Sequence, residues 1–203
     1  DRIWTFCHGF RLSCATRTTI VENCTEKISI PCLRLRSIRY IMSQVEVVYR
    51  GDMRVFFLGT GAAEGIPALF CDCSICTFAK QSGGKERRTR STILIDGNIK
   101  IDLPPETLAH VHHYPQLDFA NLQHLLFTHS HDDHFAVREL QYLSPNFAPS
   151  RKSPLHVYAT NQLIYKIVSE TEGFFERAPL MLQSLMPFFE HEVGTVSVIP
   201  IIA

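Results

Sequence analysis

Apolar positions along the chain follow two periods. Val45, Val47 and Tyr49 alternate with polar neighbours up to a Gly51-Asp52 pair, and residues 55–58 form a second apolar run, a pattern that predicts a β-hairpin turning at Gly51-Asp52. A stronger hairpin signal follows, with residues 91–95 and 99–102 flanking Asp96-Gly97-Asn98. Residues 74–81 predict a short helix. Residues 106–114 predict another, because Pro104 and Pro105 sit where a helix begins and a proline there gives up no hydrogen bond. Strands are expected at 122–128 and 155–159, a helix at 162–170, an amphipathic stretch around 182–189 and a last strand at 193–202. Strands alternating with helices, after early hairpins, give an α/β class (α+β by some schemes) with sheets covered by helices.

The first 41 residues mix Arg, Thr, Ser and Cys with little periodicity, and only 28–41 has strand character. The change of texture at Met42 divides the chain into 1–41, an unstructured or non-native extension, and 42–203, the folded domain. Read-through, a misassigned start or a scar of cloning would each produce such a stretch.

Composition narrows the class. At 203 residues and 45% hydrophobic content the chain suits one domain with a real core. Twenty basic residues balance twenty acidic ones, so no global field draws nucleic acid or an anionic membrane, and any anionic substrate must be attracted locally. No apolar run has the length of a membrane span, and no apolar block opens the chain as in a signal peptide, which points to a cytoplasmic protein. Of seven cysteines, Cys71, Cys73 and Cys76 stand together as C-x-C-x-x-C. Thiols this close suit a metal better than disulfides, and a structural zinc would need a fourth ligand from elsewhere.

The densest chemistry is His129-Ser130-His131-Asp132-Asp133-His134, directly after an apolar strand. A strand end holds side chains in fixed geometry at a cleft, and imidazole and carboxylate suit zinc and similar divalent ions. Alternation along extended backbone puts His129 and His131 on one side, able to share an ion, while Asp133 and His134 beyond the bend face a second position. Two adjacent ions can clamp a phosphoryl oxygen and generate hydroxide near neutral pH. Asp102, ending a strand before Pro104, is placed to orient this loop by accepting a hydrogen bond. Glycines in 59–65 do not have the spacing of a nucleotide loop and read as a tight turn beneath the metal site, where glycine allows close approach. Arg87, Arg88 and Arg90 read as a solvated charge run, His110, His112 and His113 as surface or substrate-edge histidines, and His124 and His156 as satisfied structural ones. Phe174, Phe175, Phe188 and Phe189 read as core or as the face of a homodimer.

The histidine motif resembles the H-x-H-x-D-H signature of the metallo-β-lactamase superfamily. That resemblance implies a four-layer αββα sandwich, with His129 and His131 on one ion, Asp133 and His134 on a second, Asp133 the catalytic carboxylate, and hydrolysis by a metal-bound hydroxide. With the preceding Gly59-Thr60-Gly61, Gly65-Ile66-Pro67 and cysteine motifs, the stretch from Arg54 to Ile201 resembles the phosphoribosyl cyclic phosphate phosphodiesterase branch. It implies two active-site zinc or manganese ions, a structural zinc on Cys71, Cys73 and Cys76 completed by a late histidine, and a small cyclic phosphodiester as substrate. The family's later ligands have no counterpart here, and His191 lies in the wrong context. The resemblance therefore implies that the chain holds the first, N-terminal half of the fold, and by itself binds metal weakly and turns over poorly. Other readings on the same motif are an RNA 3′-end processing endonuclease, which the zero net charge disfavours, a thioester or lactone hydrolase, and a zinc-stabilised module without enzymatic activity.

Overall fold

A computed structural model describes residues 4–6, 10–13, 32–42, 45–171 and 178–201, with side chains placed from Met53 onward. Among the described residues, eleven strands form one mixed sheet: β1 (Trp4–Phe6), β2 (Phe10–Ser13), β3 (Cys32–Met42), β4 (Val45–Gly59), β5 (Thr92–Ile95), β6 (Ile99–Ile101), β7 (His124–Leu126), β8 (Leu155–Ala159), β9 (Leu180–Ser184), β10 (His191–Val193) and β11 (Val196–Pro200). β1 through β6 pair antiparallel in sequence order, and β6 through β9 pair in parallel. The helices α1 (Ser74–Ser82), α2 (Thr107–His113) and α3 (Asn161–Glu170) lie in the connections. The class is the mixed α/β arrangement that the sequence predicts. The stretch set apart before Met42 carries β1, β2 and most of β3.

Two expectations are corrected. The Gly51-Asp52 hairpin does not form, because β4 runs through it as one 15-residue strand. Opposite this point the register steps from Leu35↔Met53 to Ser37↔Arg50, so β4 carries an extra residue where Gly51 and Asp52 lie, and the turn-forming pair is accommodated as a bulge. The last strand, expected as one run, is a hairpin in which Gly194, at φ 59°, turns β10 into β11. A Cβ there would meet the His124 ring at 2.9 Å, so glycine is required by both conformation and space. The turn at Asp96-Gly97-Asn98 forms as expected, with Asp96 and Gly97 both at positive φ and Ile95 facing Ile99.

The central strands are buried on both faces, which is why β5 and β6 read as continuous rather than alternating runs. Ile93, Ile95, Ile99, Ile101 and Leu126 join Met53 and Val55 in one core, which β10 and β11 cover with Val193, Val196 and Val198. Leu94, Leu125, Val157 and Ala159 face the other way, against Leu103, Leu140, Leu163 and Ile167. Each of the larger aliphatic side chains contributes about 1.5–3 kcal/mol by leaving water.

Lys100 sits in β6 between Ile99 and Ile101, fully buried, with Nζ 2.5 Å from Thr92 Oγ1 and 5.7 Å from the centre of the Phe119 ring. Burial pushes its pKa down from 10.5 to about 7, and the nearby Asp102 charge opposes that drop. The folded chain thus binds fewer protons than the unfolded chain between about pH 7 and pH 10.5, so stability rises with pH through that window. Below it the full cost of the buried charge is present. Lys100→Met is expected to stabilise the protein by a few kcal/mol at about pH 6, with the gain shrinking toward about pH 10, as read from urea unfolding at both pH values. A gain independent of pH would show that the ammonium is fully compensated.

Candidate metal centre

The centre is built where two parallel strands end. β6 and β7 pair through Ile101↔Leu126, and Asp102 N–H continues the ladder to the Leu126 carbonyl at 2.8 Å. Asp102 then adopts φ 62°, a left-handed conformation that aspartate tolerates better than most residues. The following residue pins the far end of the histidine loop: Leu103 N–H donates to His134 O, and Ala136 N–H donates to Leu103 O, both at 2.8 Å. The loop 127–136 is therefore held at both ends by one short stretch of backbone.

Asp102 also organises the loop through its side chain, which is fully buried. Oδ1 accepts the Thr128 backbone N–H at 2.8 Å, and Oδ2 accepts His134 Nδ1 at 2.7 Å. With Nδ1 committed, His134 presents Nε2, which lies 3.1 Å from Asp133 Oδ2. The orienting role expected of Asp102 is thus observed. A ligand histidine whose other nitrogen is fixed by a carboxylate is the usual partnership at metal sites.

His129, Asp133 and His134 bring one ligand atom each to within 4.8 Å of one another, and the His129 and His134 ring centres are 4.2 Å apart. All three are partly buried, and their nitrogen and oxygen donors fit a divalent ion. His131 is exposed and is not part of this group, although its ring centre lies 4.7 Å from that of His129. The structure therefore gathers one residue of the first expected pair with both residues of the second. Burial, then the neighbouring His134, lowers the pKa of His129. Burial acts downward on His134 as well, but the hydrogen bond and charge of Asp102, with Asp133 adding, outweigh it and raise the pKa. Lys166 of α3, which the sequence pattern does not single out, donates from Nζ to Ser130 O at 3.1 Å and sits 5.1 Å from the centre of the Phe135 ring.

Cys71, Cys73 and Cys76 form the second cluster, their sulfurs likewise within 4.8 Å of one another. Cys73 stands at the N-terminal boundary of α1 without a side-chain cap, and Cys76 is buried on the helix, accepting the Ala68 N–H at 3.3 Å. Hydrogen bonds from the Cys76 backbone, then from Cys71 and Cys76, lower the Cys73 pKa to about 7. Three converging sulfurs at a helix start, one already easily ionised, fit a thiophilic ion such as zinc.

Other residues fall into place around these clusters. Gly59 and Gly61 pack against 88–90, where a Cβ on Gly59 would stand 1.9 Å from Arg90 O, so the glycine loop provides close approach as expected. Arg90 is committed to Ala63 O and to Glu106. His124 and His156 are satisfied by Tyr158 and Gln183. His110 is not a surface residue: it is buried, bonded to Thr89 Oγ1 at 2.7 Å, and pushed down to about 4 by burial, then by the Lys100 charge. Phe188 and Phe189 are exposed and so not core, and Phe174 and Phe175 lie outside the described residues. A cavity of about 330 Å³ lined by 120–123 and 150–153 lies at the entry ends of β7 and β8, the opposite end from the histidines. Among the described residues, no helix is long and apolar enough to cross a membrane.

This strand order, with its histidine loop at the strand ends, is a metallo-β-lactamase fold. Among solved structures, a diphosphatase from the PhnP family is similar at 20% identity and a TM-score of 0.55, over 70% of this chain and 53% of that one. Zn²⁺-bound PqqB from Methylobacterium extorquens is similar at 24% identity and a TM-score of 0.53, over 68% and 51%. The chain thus spans about half the length of the structures it matches. No family model matches it, and no curated protein matches its sequence.

Asp102→Asn keeps the size and the left-handed conformation but turns an acceptor into a donor facing His134. It is expected to weaken zinc binding at the histidine cluster by about 10–100-fold, as measured by competition with a chromophoric chelator. Unchanged affinity would show that Asp102 only ties the loop down.

Proposed function

We propose that the chain belongs to a divalent-metal-dependent hydrolase of small phosphodiesters, of the phosphoribosyl cyclic phosphate phosphodiesterase kind, using zinc or manganese. The observation that carries this reading is the convergence of His129, Asp133 and His134 at a strand end, with His134 Nδ1 locked by a buried carboxylate. The likeness to a diphosphatase agrees with phosphorus chemistry. A bound divalent ion would supply Lewis-acid activation of the phosphoryl oxygen and of water.

The chain's own residues then have distinct tasks. His129 and His134 bind through their ring nitrogens. Asp133, between solvent and His134, offers a carboxylate oxygen to orient the attacking water and take its proton. His131, exposed beside His129, supplies a donor for a second ion. Cys71, Cys73 and Cys76 hold a structural zinc that fixes α1 and, through the Arg88–Ile66 backbone pair, the glycine loop.

The test is hydrolysis of bis(p-nitrophenyl) phosphate and of a five-membered cyclic phosphodiester by protein loaded with zinc or manganese. Turnover is expected to be slow, to vanish with a chelator, and to fall at least about 100-fold in Asp133→Asn. Hydrolysis of thioesters or lactones with none of phosphodiesters would move the reading to another substrate class. Chelator-induced unfolding, with no reaction on any of these substrates, would leave a zinc-stabilised module.

A further inference from the structure

Thr128 stands between β7 and the histidine cluster, and its hydroxyl touches two groups whose chemistry is fixed by their surroundings. The residue is buried, at 3% exposure. Its Oγ1 lies 3.0 Å and 2.8 Å from Asp102 Oδ1 and Oδ2, and 2.9 Å from His129 Nδ1. A hydroxyl has one proton to give and lone pairs to accept with. The Asp102 carboxylate already takes a backbone N–H and the His134 Nδ1 proton, and as an acceptor it takes the hydroxyl proton too. What the hydroxyl has left for His129 is a lone pair. His129 Nδ1 must then carry a proton, which leaves Nε2 as the bare nitrogen.

We propose that Thr128 is a positioning residue that passes the orienting effect of Asp102 to His129, so that one buried carboxylate sets the tautomer of two metal-binding histidines. His134 receives it directly through Nδ1, and His129 receives it through one hydroxyl. His129 is thereby prepared to bind through Nε2 before any ion arrives, which removes the cost of choosing a tautomer at the moment of binding, whereas His134 Nε2 faces Asp133 Oδ2 at 3.1 Å and must give up that contact to an ion. This rests on the reading of His129 and His134 as metal ligands, but the tautomer of His129 can be judged without any metal.

The first measurement is the long-range ¹H–¹⁵N spectrum of the histidine rings in metal-free protein, with His129 assigned from its loss in His129→Gln. The expected result is the Nδ1–H form for His129. An Nε2–H form would overturn the proposal without any change at Thr128. The second is zinc affinity in Thr128→Val, which keeps the shape and removes the hydroxyl, and in Thr128→Ser, which restores it. Thr128→Val is expected to bind zinc about 10–100-fold more weakly and to show mixed tautomers at His129, and Thr128→Ser is expected to recover both. Zinc binding within about twofold of the parent in a folded Thr128→Val with an unchanged His129 spectrum would reduce Thr128 to a loop contact. If the parent itself bound no zinc, the metal reading would fail, and the spectrum of His129 would still decide the relay.

Discussion

The carboxylate of Asp102 is the point on which the centre depends. It is fully buried, and such a charge is tolerated only where donors surround it. Those donors come from the Thr128 backbone, the Thr128 hydroxyl and the His134 ring, all belonging to the segment that carries the ligand set. Satisfying one buried anion and ordering the loop are therefore the same event. The parallel pairing of β6 and β7 makes this possible by bringing the ends of two strands separated by a helix to the same edge.

The same region shows how a strong sheet can carry polar cargo. Lys100, two residues before Asp102, is buried between isoleucines that face the opposite layer, and Thr92 takes its ammonium while donating to Ile101 O at 2.7 Å. His110 lies buried nearby with Nδ1 unpartnered. These groups weaken the fold, but Lys100 lies close enough to Asp102 for their charges to interact, and the Thr92 hydroxyl lies 3.0 Å from the Asp102 carbonyl oxygen. Stability and the electrostatics of the centre are set by the same few residues.

Much of this was legible beforehand, and the reasons differ by residue. The Asp96-Gly97-Asn98 turn and the helix after Pro105 follow from local backbone preference, which the surrounding fold had no cause to override. The histidine motif was legible because few other uses exist for so many ligating groups at a strand end. The Gly51-Asp52 turn was misread because pairing of β3 with residues 45–56 of β4, on both sides of the pair, outweighed local turn chemistry. Thr128 and Lys166 left no periodic or compositional trace, since each acts through one atom aimed at a distant partner. His110 was misassigned because helical spacing does not reveal which face lies under a neighbouring loop. The grouping of His129 with Asp133 and His134, rather than with His131, depends on how the loop bends back to Leu103, which spacing does not encode.

One strand has a consequence for how the protein comes into being. β3 occupies one edge of β4, while its other edge is divided between β5 at residues 55–59 and β11 at residues 45–48. β5 follows β4 closely, but β11 arrives about 150 residues after the segment it covers. During synthesis, the first part of that edge stays open until residues 197–200 have been made and have left the ribosome. It then presents unpaired backbone amides and carbonyls to any other extended chain nearby. Nascent copies on one messenger would be each other's nearest partners, so the order in which this sheet closes governs its exposure to misassembly.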